Sequence, residues 1–253
     1  MGITMNELMS KRRDLKRRLR TRQTVFGCWT SFGHPQITDI FTSSGVDFVG
    51  IDIEHSTISQ EQAQRIIAAS QAGGSLCFPR ISSHSMEMIK RLLDSGADGI
   101  IAPMVNSVAE AKHIVQWCTY PPVGVRSYGI ARAQGYGVEF DEYVGSWNES
   151  VSIVLQIESI SAVDQIDAIV SLEEVDGVMV GPYDLSGSLK LPGQLTHPRV
   201  EEACARVIAS CKKYGKACGT QIVEPDKSAI SSCLKKDYTF VVLASDVFVL
   251  WKW

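Results

Sequence analysis

The chain has no apolar run near the ~20 residues that a bilayer-spanning helix needs. Its N-terminus lacks the apolar segment of a secretory signal. Net charge is slight, −3 over 253 residues, so the molecule as a whole shows no bias toward polyanions. Pairs of the C-x-x-C type are missing and the seven cysteines are odd in number, which argues against a disulfide framework or a thiolate metal site. Cys204, Cys211 and Cys218 recur every seven residues, and the first two can share a helix face. They read as small core residues and free thiols, a usage that fits a reduced, cytoplasmic compartment. No low-complexity linker interrupts the chain. With 45% hydrophobic and 21% charged residues, its composition is ordinary globular and sufficient for one sizeable core.

One stretch concentrates charge: "SKRRDLKRRLRTRQ", residues 10–23. Basic residues in such a run suit a nucleic-acid arm. Here Leu8, Leu15 and Leu19 keep a helical stripe through it, and Glu7 and Asp14 interrupt it. The pattern predicts an amphipathic helix lying on the domain with a solvated basic face. The same two acids argue against a mitochondrial presequence.

Beyond it, short apolar segments alternate with helical patterns. The strand-like segments are residues 25–31, 48–53, 76–81, 99–104, 152–157, 177–180, 217–222 and 240–243. They are apolar on both faces, as buried parallel strands are. The helical patterns between them open on caps such as Ser59 and tend to stop at glycine. This alternation predicts an α/β fold, a (β/α)8 TIM barrel forming a single domain over residues 1–253. An N-terminal helix within residues 1–23 precedes it, and a short C-terminal end follows the eighth strand. A doubly wound open sheet is the alternative, weakened because no G-x-G-x-x-G turn follows the first strand. Residues 120–143, rich in Gly, Arg and Tyr, form the longest irregular stretch. A stretch of that length in a barrel is expected to be functional or partly helical.

Catalytic groups in such barrels sit just beyond the C-terminal ends of the strands. Glu54 and His55 follow the second strand in "FVGIDIEHSTIS", with Asp52 at its end. Arg80 ends the third, Glu158 follows the fifth with Gln156 two residues earlier on the same face, and Asp184 follows the sixth. Singly, each has a plain structural explanation. Glu158 and Asp184 could cap helices or turns, Arg80 could form an ion pair, and His55 could brace its loop. Jointly they converge on one rim, where unpaired charge is costly.

Glu158 and Asp184 would lie close together, and two carboxylates without a cation repel. Oxygen ligands with no His or Cys partner suit a hard divalent ion, Mg²⁺, Mn²⁺ or Co²⁺, that keeps exchangeable waters. A 2-oxo acid, with carboxylate and keto oxygens side by side, chelates such an ion naturally. Arg80 then faces the developing enolate oxygen, and His55, oriented by Asp52 or Glu54, is the acid–base group. A Schiff-base mechanism needs a lysine inside the barrel. No strand-like segment carries one, and Lys216 precedes the seventh strand, at the wrong end.

These blocks, "GIDIEH", "CFPR", "APMV", "YPPVGVRSYG", "VLQIE" and "VGPYDLSGSL…HP", together resemble the HpcH/HpaI aldolase family from about residue 25 to 243. The resemblance implies a carbon–carbon lyase that reversibly cleaves a 4-hydroxy-2-oxo acid into pyruvate and an aldehyde through a metal-bound pyruvate enolate. It matches Glu158 and Asp184 to metal ligands, His55 to the base supported by Asp52 and Glu54, and Arg80 to the enolate-stabilising residue. Gln156, Gly181 and Pro182 match positions beside the bound 2-oxo acid. Asp94 matches an acidic residue presented to a neighbouring subunit's site, and Arg126 matches an arginine of open role. It further implies a homo-oligomer, a hexamer or dimer, with a C-terminal helix exchanged between subunits. The short C-terminal end departs from that pattern, and so does Tyr183, which stands where some members carry alanine. Residues 126–143 are where members are expected to differ in aldehyde choice. The competing readings are a citrate lyase-like or malyl-CoA lyase-like enzyme acting on acyl-CoA esters, and a barrel that only binds a ligand. The "IDIEH" block and the complete acid–base and metal set favour the aldolase.

Overall fold

The computed structural model describes residues 4–252; the outer limits of the expected domain, residues 1–3 and 253, lie outside the described residues. Eight parallel strands run β1 (Val25–Thr30), β2 (Phe48–Asp52), β3 (Leu76–Arg80), β4 (Gly99–Ala102), β5 (Ser152–Ile157), β6 (Gly177–Val180), β7 (Ala217–Ile222) and β8 (Phe240–Ser245). They pair in chain order, and β8 returns to β1, closing the barrel. β5, β6 and β7 have the expected bounds. The first four strands stop one or two residues early and β8 runs two further, where residues leave or join the ladder at the rim.

The helices are α1 (Met5–Arg20), α2 (Pro35–Ser43), α3 (Gln60–Ala72), α4 (Met86–Asp94), α5 (Val108–Cys118) and α6 (Phe140–Ser150). Then come α7 (Ile160–Asp164), α8 (Ile166–Val170), α9 (Pro182–Ser188), α10 (Pro198–Tyr214), α11 (Lys227–Lys235) and α12 (Asp246–Lys252). Ser59, Ser85, Ser107 and Ser159 each accept a backbone N–H as the N-caps of α3, α4, α5 and α7. Such caps satisfy otherwise orphaned donors where each chain segment turns from the rim into its helix. Among the described residues, no helix is long and apolar enough to cross a membrane.

Strand alternation divides the apolar residues between two cores. Ile51, Cys77, Ile100, Ile153, Leu155, Val178 and Val241 face outward and pack under the helices. Val25, Trp29, Phe48, Leu76, Phe78, Ile101, Val154, Met179, Phe240 and Val242 fill the barrel, together with Leu8, Leu15 and Leu19 of α1. The Phe48 ring stacks at 4.6 Å on Phe240 and at 5.3 Å on Phe78. All seven cysteines are free, and six of them are buried.

The leucine stripe of α1 therefore caps the barrel at the N-terminal ends of its strands. The expectation of a solvated basic face holds for only part of the helix. Arg12 and Lys16 are buried. Arg12 Nε lies 2.7 Å from Asp98, Lys16 Nζ 2.9 Å from Asp176, and Arg20 Nε 2.7 Å from the same Asp176. Arg18 pairs with Asp47 at 2.5 Å. Asp47, Asp98 and Asp176 each immediately precede an even-numbered strand, so the carboxylates and the basic helix neutralise one another where either alone would be costly.

The stretch 120–143 is partly helical, with a 3-10 helix at Arg132–Gly137 followed by the start of α6. It packs at this same end. Arg132 donates to Ser95 O and Gln71, Arg126 pairs with Asp94 at 2.7 Å, and Tyr143 and Trp147 of α6 lie under Arg12 of α1. It is thus remote from this chain's own mouth.

Candidate active site

The opposite rim carries the polar set. In-register pairing of β2 with β3 puts Asp52 directly beside Arg80. Arg80 Nε donates to Asp52 Oδ1 at 3.1 Å, and Nη2 lies 2.9 Å from Oδ2. The guanidinium lies over the Trp29 ring, 4.8 Å from its centroid. That ring reaches across β2 only because residue 50 is glycine: a Cβ there would meet it at 2.3 Å. Arg80 is thus held in the rim by a carboxylate fork and an aromatic face.

Asp52 also accepts the backbone N–H of His55 at 3.1 Å, and its carbonyl accepts Ser56 Oγ. These bonds fold the β2–α3 loop so that Glu54 and His55 follow the strand into the mouth. Glu54 Oε2 lies 3.2 Å from Arg80 Nε and 3.5 Å from His55 Nε2. It accepts no well-directed hydrogen bond from either, since the Arg80 Nε–H points at Asp52. The contacts are coulombic. Asp52 therefore holds the backbone of His55, and Glu54 is the carboxylate beside its ring. The imidazole is largely exposed and free to meet a substrate.

Across the mouth, Glu158 is 5% exposed. Oε2 accepts the Met104 N–H at 2.9 Å, and Oε1 accepts Gln156 Nε2. Gly181 leaves the room this carboxylate occupies, because a Cβ there would stand 2.5 Å from Oε1. Burial pushes the Glu158 carboxyl above the usual range; the two donors oppose that rise, and the negative charges of Asp184 and Glu54 add to it. Burial likewise raises Glu54, opposed by Arg80 and His55 and reinforced by Asp52 and Asp184. Three carboxylates, Glu54, Glu158 and Asp184, therefore sense one another across the same opening.

Neither carboxylate is a helix N-cap. Ser159, not Glu158, caps α7. Asp184 lies in the first turn of α9, whose N-cap Gly181 has no side-chain bond, and Asp184 stands exposed. Gly181 and Pro182 make the turn that delivers it, with Gly181 N donating to Ile157 O at 3.2 Å. Tyr183 is exposed and its hydroxyl leans toward Gly193, on the loop after α9. Asp94 and Arg126 are not brought to this mouth; they pair at the far end of the barrel.

Sequence reasoning missed three rim residues. Trp29 shares inward parity with Arg80, a signal readable from strand alternation. Asp246 directly follows β8 and opens α12; buried, it accepts the N–H groups of Ser31 and Phe32 at 2.9 Å and the Thr30 hydroxyl at 3.0 Å, clamping the β1–α2 turn. Met104 lies in the "APMV" block, but its residue type gave no sign of a role, because its contact is made through the backbone.

The family profile of HpcH/HpaI aldolase/citrate lyase matches residues 25–252. The chain is 33% identical to hydroxypyruvate/pyruvate aldolase of Roseobacter denitrificans, over 93% of this chain and 91% of that protein. It is 34% identical to 2-keto-3-deoxy-L-rhamnonate aldolase of Salmonella typhi, over 97% and 91%. The crystal structure of an HpcH/HpaI aldolase/citrate lyase family protein from Burkholderia cenocepacia superposes with a TM-score of 0.90 at 30% identity, covering 95% of each chain. With strand order, rim chemistry and near full-length similarity in agreement, the chain belongs to the HpcH/HpaI aldolase/citrate lyase family.

Proposed function

We propose that this chain cleaves a 4-hydroxy-2-oxo acid reversibly into pyruvate and an aldehyde, with Arg80, His55, Glu158 and Asp184 as its working groups. The observation that carries the reading is the opposition of two rim halves: Asp52, Glu54, His55 and Arg80 from β2 and β3, and Gln156, Glu158 and Asp184 from β5 and β6.

The donor set fits a hard divalent cation. Among the described residues, no three His, Cys, Asp or Glu side chains gather closely enough to cage an ion. Two carboxylates that keep water at the remaining positions are the normal complement for Mg²⁺ or Mn²⁺. The raised Glu158 carboxyl, and the Gln156 Oε1 left buried without a partner, mark a place that a cation and its waters would relieve. Glu158 and Asp184 would hold it. When bound, such an ion supplies Lewis-acid polarisation of the 2-oxo group.

The chain's own groups do the rest. The Arg80 guanidinium faces the oxygen on which enolate charge develops, and Asp52 and Trp29 prevent it from following the substrate out. His55 Nε2 takes the proton of the C4 hydroxyl. The C3–C4 bond then breaks, C4 leaves as the aldehyde carbonyl, and the electron pair passes into the enolate of pyruvate, which is protonated at C3. Glu54 beside the ring offsets the charge His55 gains. Arg80 is committed to two carboxylates, so it is positioned before substrate arrives.

A homo-oligomer is part of this reading. Val123, Val125, Tyr128, Ile130, Tyr136 and Val138 are all exposed on one segment, an apolar run that a neighbouring subunit would cover. Asp94 lies under that face. The seven free thiols support a reducing, cytoplasmic setting.

The test is a screen of aldehydes with pyruvate and Mn²⁺, with products read by mass spectrometry and a parallel arm in excess EDTA. Carbon–carbon bond formation that requires the ion supports the reading. Full turnover in EDTA removes the metal from it, and no product with any aldehyde removes the aldolase.

A further inference from the structure

The turn that grips Glu158 has an unusual backbone. Met104 adopts φ +51°, a left-handed conformation that residues with side chains rarely take. Its side chain is 45% exposed, so side-chain packing does not account for the conformation. The surrounding hydrogen bonds do. β4 ends at Ala102, and Pro103 has no N–H, so Met104 carries the first free donor past the strand. The left-handed turn aims that donor at Glu158 Oε2, 2.9 Å away.

The turn is fastened on every side. Pro103 O bonds the His84 ring at 2.6 Å, and Met104 O accepts Asn106 Nδ2 at 2.8 Å. Val105 N donates to Gln156 O at 3.2 Å, and Ser159 Oγ bonds Asn106 Oδ1. Two of these fasteners, Gln156 and Ser159, flank Glu158 in sequence. The strap and the carboxylate it holds are therefore one unit.

We propose that Met104 is a positioning residue for Glu158, acting through its left-handed backbone. Its N–H and the Gln156 amide take one carboxylate oxygen each, which fixes the rotation of the group before any cation binds. The inference rests on the reading of Glu158 as a metal ligand.

Calorimetric titration of Mn²⁺ into the full-length protein tests it, with Glu158→Gln as the control for the site. A β-branched residue strongly resists left-handed backbone, whereas asparagine tolerates it. Met104→Val should weaken Mn²⁺ binding by roughly 10–100-fold, the usual effect of losing a partner that orients a ligand. Met104→Asn should stay far closer to wild type. Asn106→Ala, which unfastens the turn while leaving residue 104 as methionine, should weaken binding in the same direction and serves if Met104→Val does not fold. Valine and asparagine variants with equal affinity overturn the proposal, as does an Asn106→Ala protein that binds as wild type. A wild type that takes up Mn²⁺ indifferently to Glu158→Gln overturns the metal reading itself, a result distinct from either.

Discussion

Asp52 and Arg80 stand opposite each other in register on β2 and β3, and they meet through a two-pronged ion pair, Nε to Oδ1 at 3.1 Å and Nη2 to Oδ2 at 2.9 Å. The pair is nearly sealed from water. Arg80 therefore has one orientation, and its charge acts at a fixed point of the mouth.

Removing a charged group that stabilises developing negative charge costs about 3–4 kcal/mol, or roughly a hundred- to a thousandfold in rate. Arg80→Ala should lose that much in aldol cleavage and equally in oxaloacetate decarboxylation, a side reaction that the proposed enolate chemistry implies, since both pass through the pyruvate enolate. Arg80→Lys should recover little of it, because an ammonium cannot bridge both Asp52 oxygens while lying flat on Trp29. Steady-state rates for the two reactions on one preparation decide the matter, and an undiminished decarboxylase would contradict the role.

The barrel and its rim were legible because both follow from local rules. Short apolar segments with caps and glycine stops dictate strands and helices, and a barrel sends whatever polar residue ends a strand to one mouth. What escaped was pairing across the chain. Arg12 and Lys16 look like a solvated face because Asp98 and Asp176 lie 86 and 160 residues away. The recurring aspartate before β2, β4 and β6 was the available clue. Met104 escaped for another reason: its function belongs to a backbone angle, which residue type does not announce.

The Arg12–Asp98 pair offers a stability test that leaves the mouth alone. Both side chains are buried, and Asp98 also accepts Gln71 Nε2 and the Cys77 N–H. Asp98→Ala strands a buried guanidinium, which costs about 3–5 kcal/mol. In a protein of this size each kcal/mol moves Tm by about 2–4 °C. A fall of roughly 6–20 °C is expected, with substrate KM unchanged in the protein that remains folded. A melting temperature within a degree of wild type would show the pair to be ornamental.

The raised carboxyls make a signed prediction for the metal-free protein. Glu158 holds its proton more tightly folded than unfolded. Its protonated form thus contributes stability that is fully present below the ordinary carboxylate pKa and is lost as pH rises through the elevated value. Mn²⁺ replaces the proton and should restore stability on the neutral side. Exposed acids with lowered values, Asp167 and Asp237, act in the opposite sense, so the wild-type curve alone is mixed. The difference between wild type and Glu158→Gln isolates the effect. In EDTA, that difference should shift in favour of the variant as pH rises from about 4.5 to 8, spanning the region above the usual carboxylate pKa. Parallel melting curves would refute it.

His55 permits the sharpest separation of roles. Cleavage needs a base for the C4 hydroxyl proton, whereas decarboxylation of oxaloacetate releases carbon dioxide and needs no base at that step. Loss of a general base costs about a hundred- to ten-thousandfold. His55→Ala should therefore lose most aldol cleavage and keep a much larger share of decarboxylation. The competing explanation, a histidine that braces its loop, predicts loop bonds made by the ring. The imidazole is largely exposed and, among the described residues, its one ionic neighbour is Glu54, at 3.5 Å, while the loop is held by the His55 backbone N–H and Ser56 on Asp52. None of those bonds is lost with the ring. Melting temperature should accordingly stay within about 2 °C of wild type, the scale of a surface substitution of under ~0.5 kcal/mol. Glu54→Gln leaves the imidazole in place but removes the charge beside it, so it should lower cleavage while sparing decarboxylation in the same sense, by a smaller factor. Equal losses of both reactions in His55→Ala, accompanied by a lowered melting temperature, would return His55 to a structural role and leave the base to be sought elsewhere on the rim.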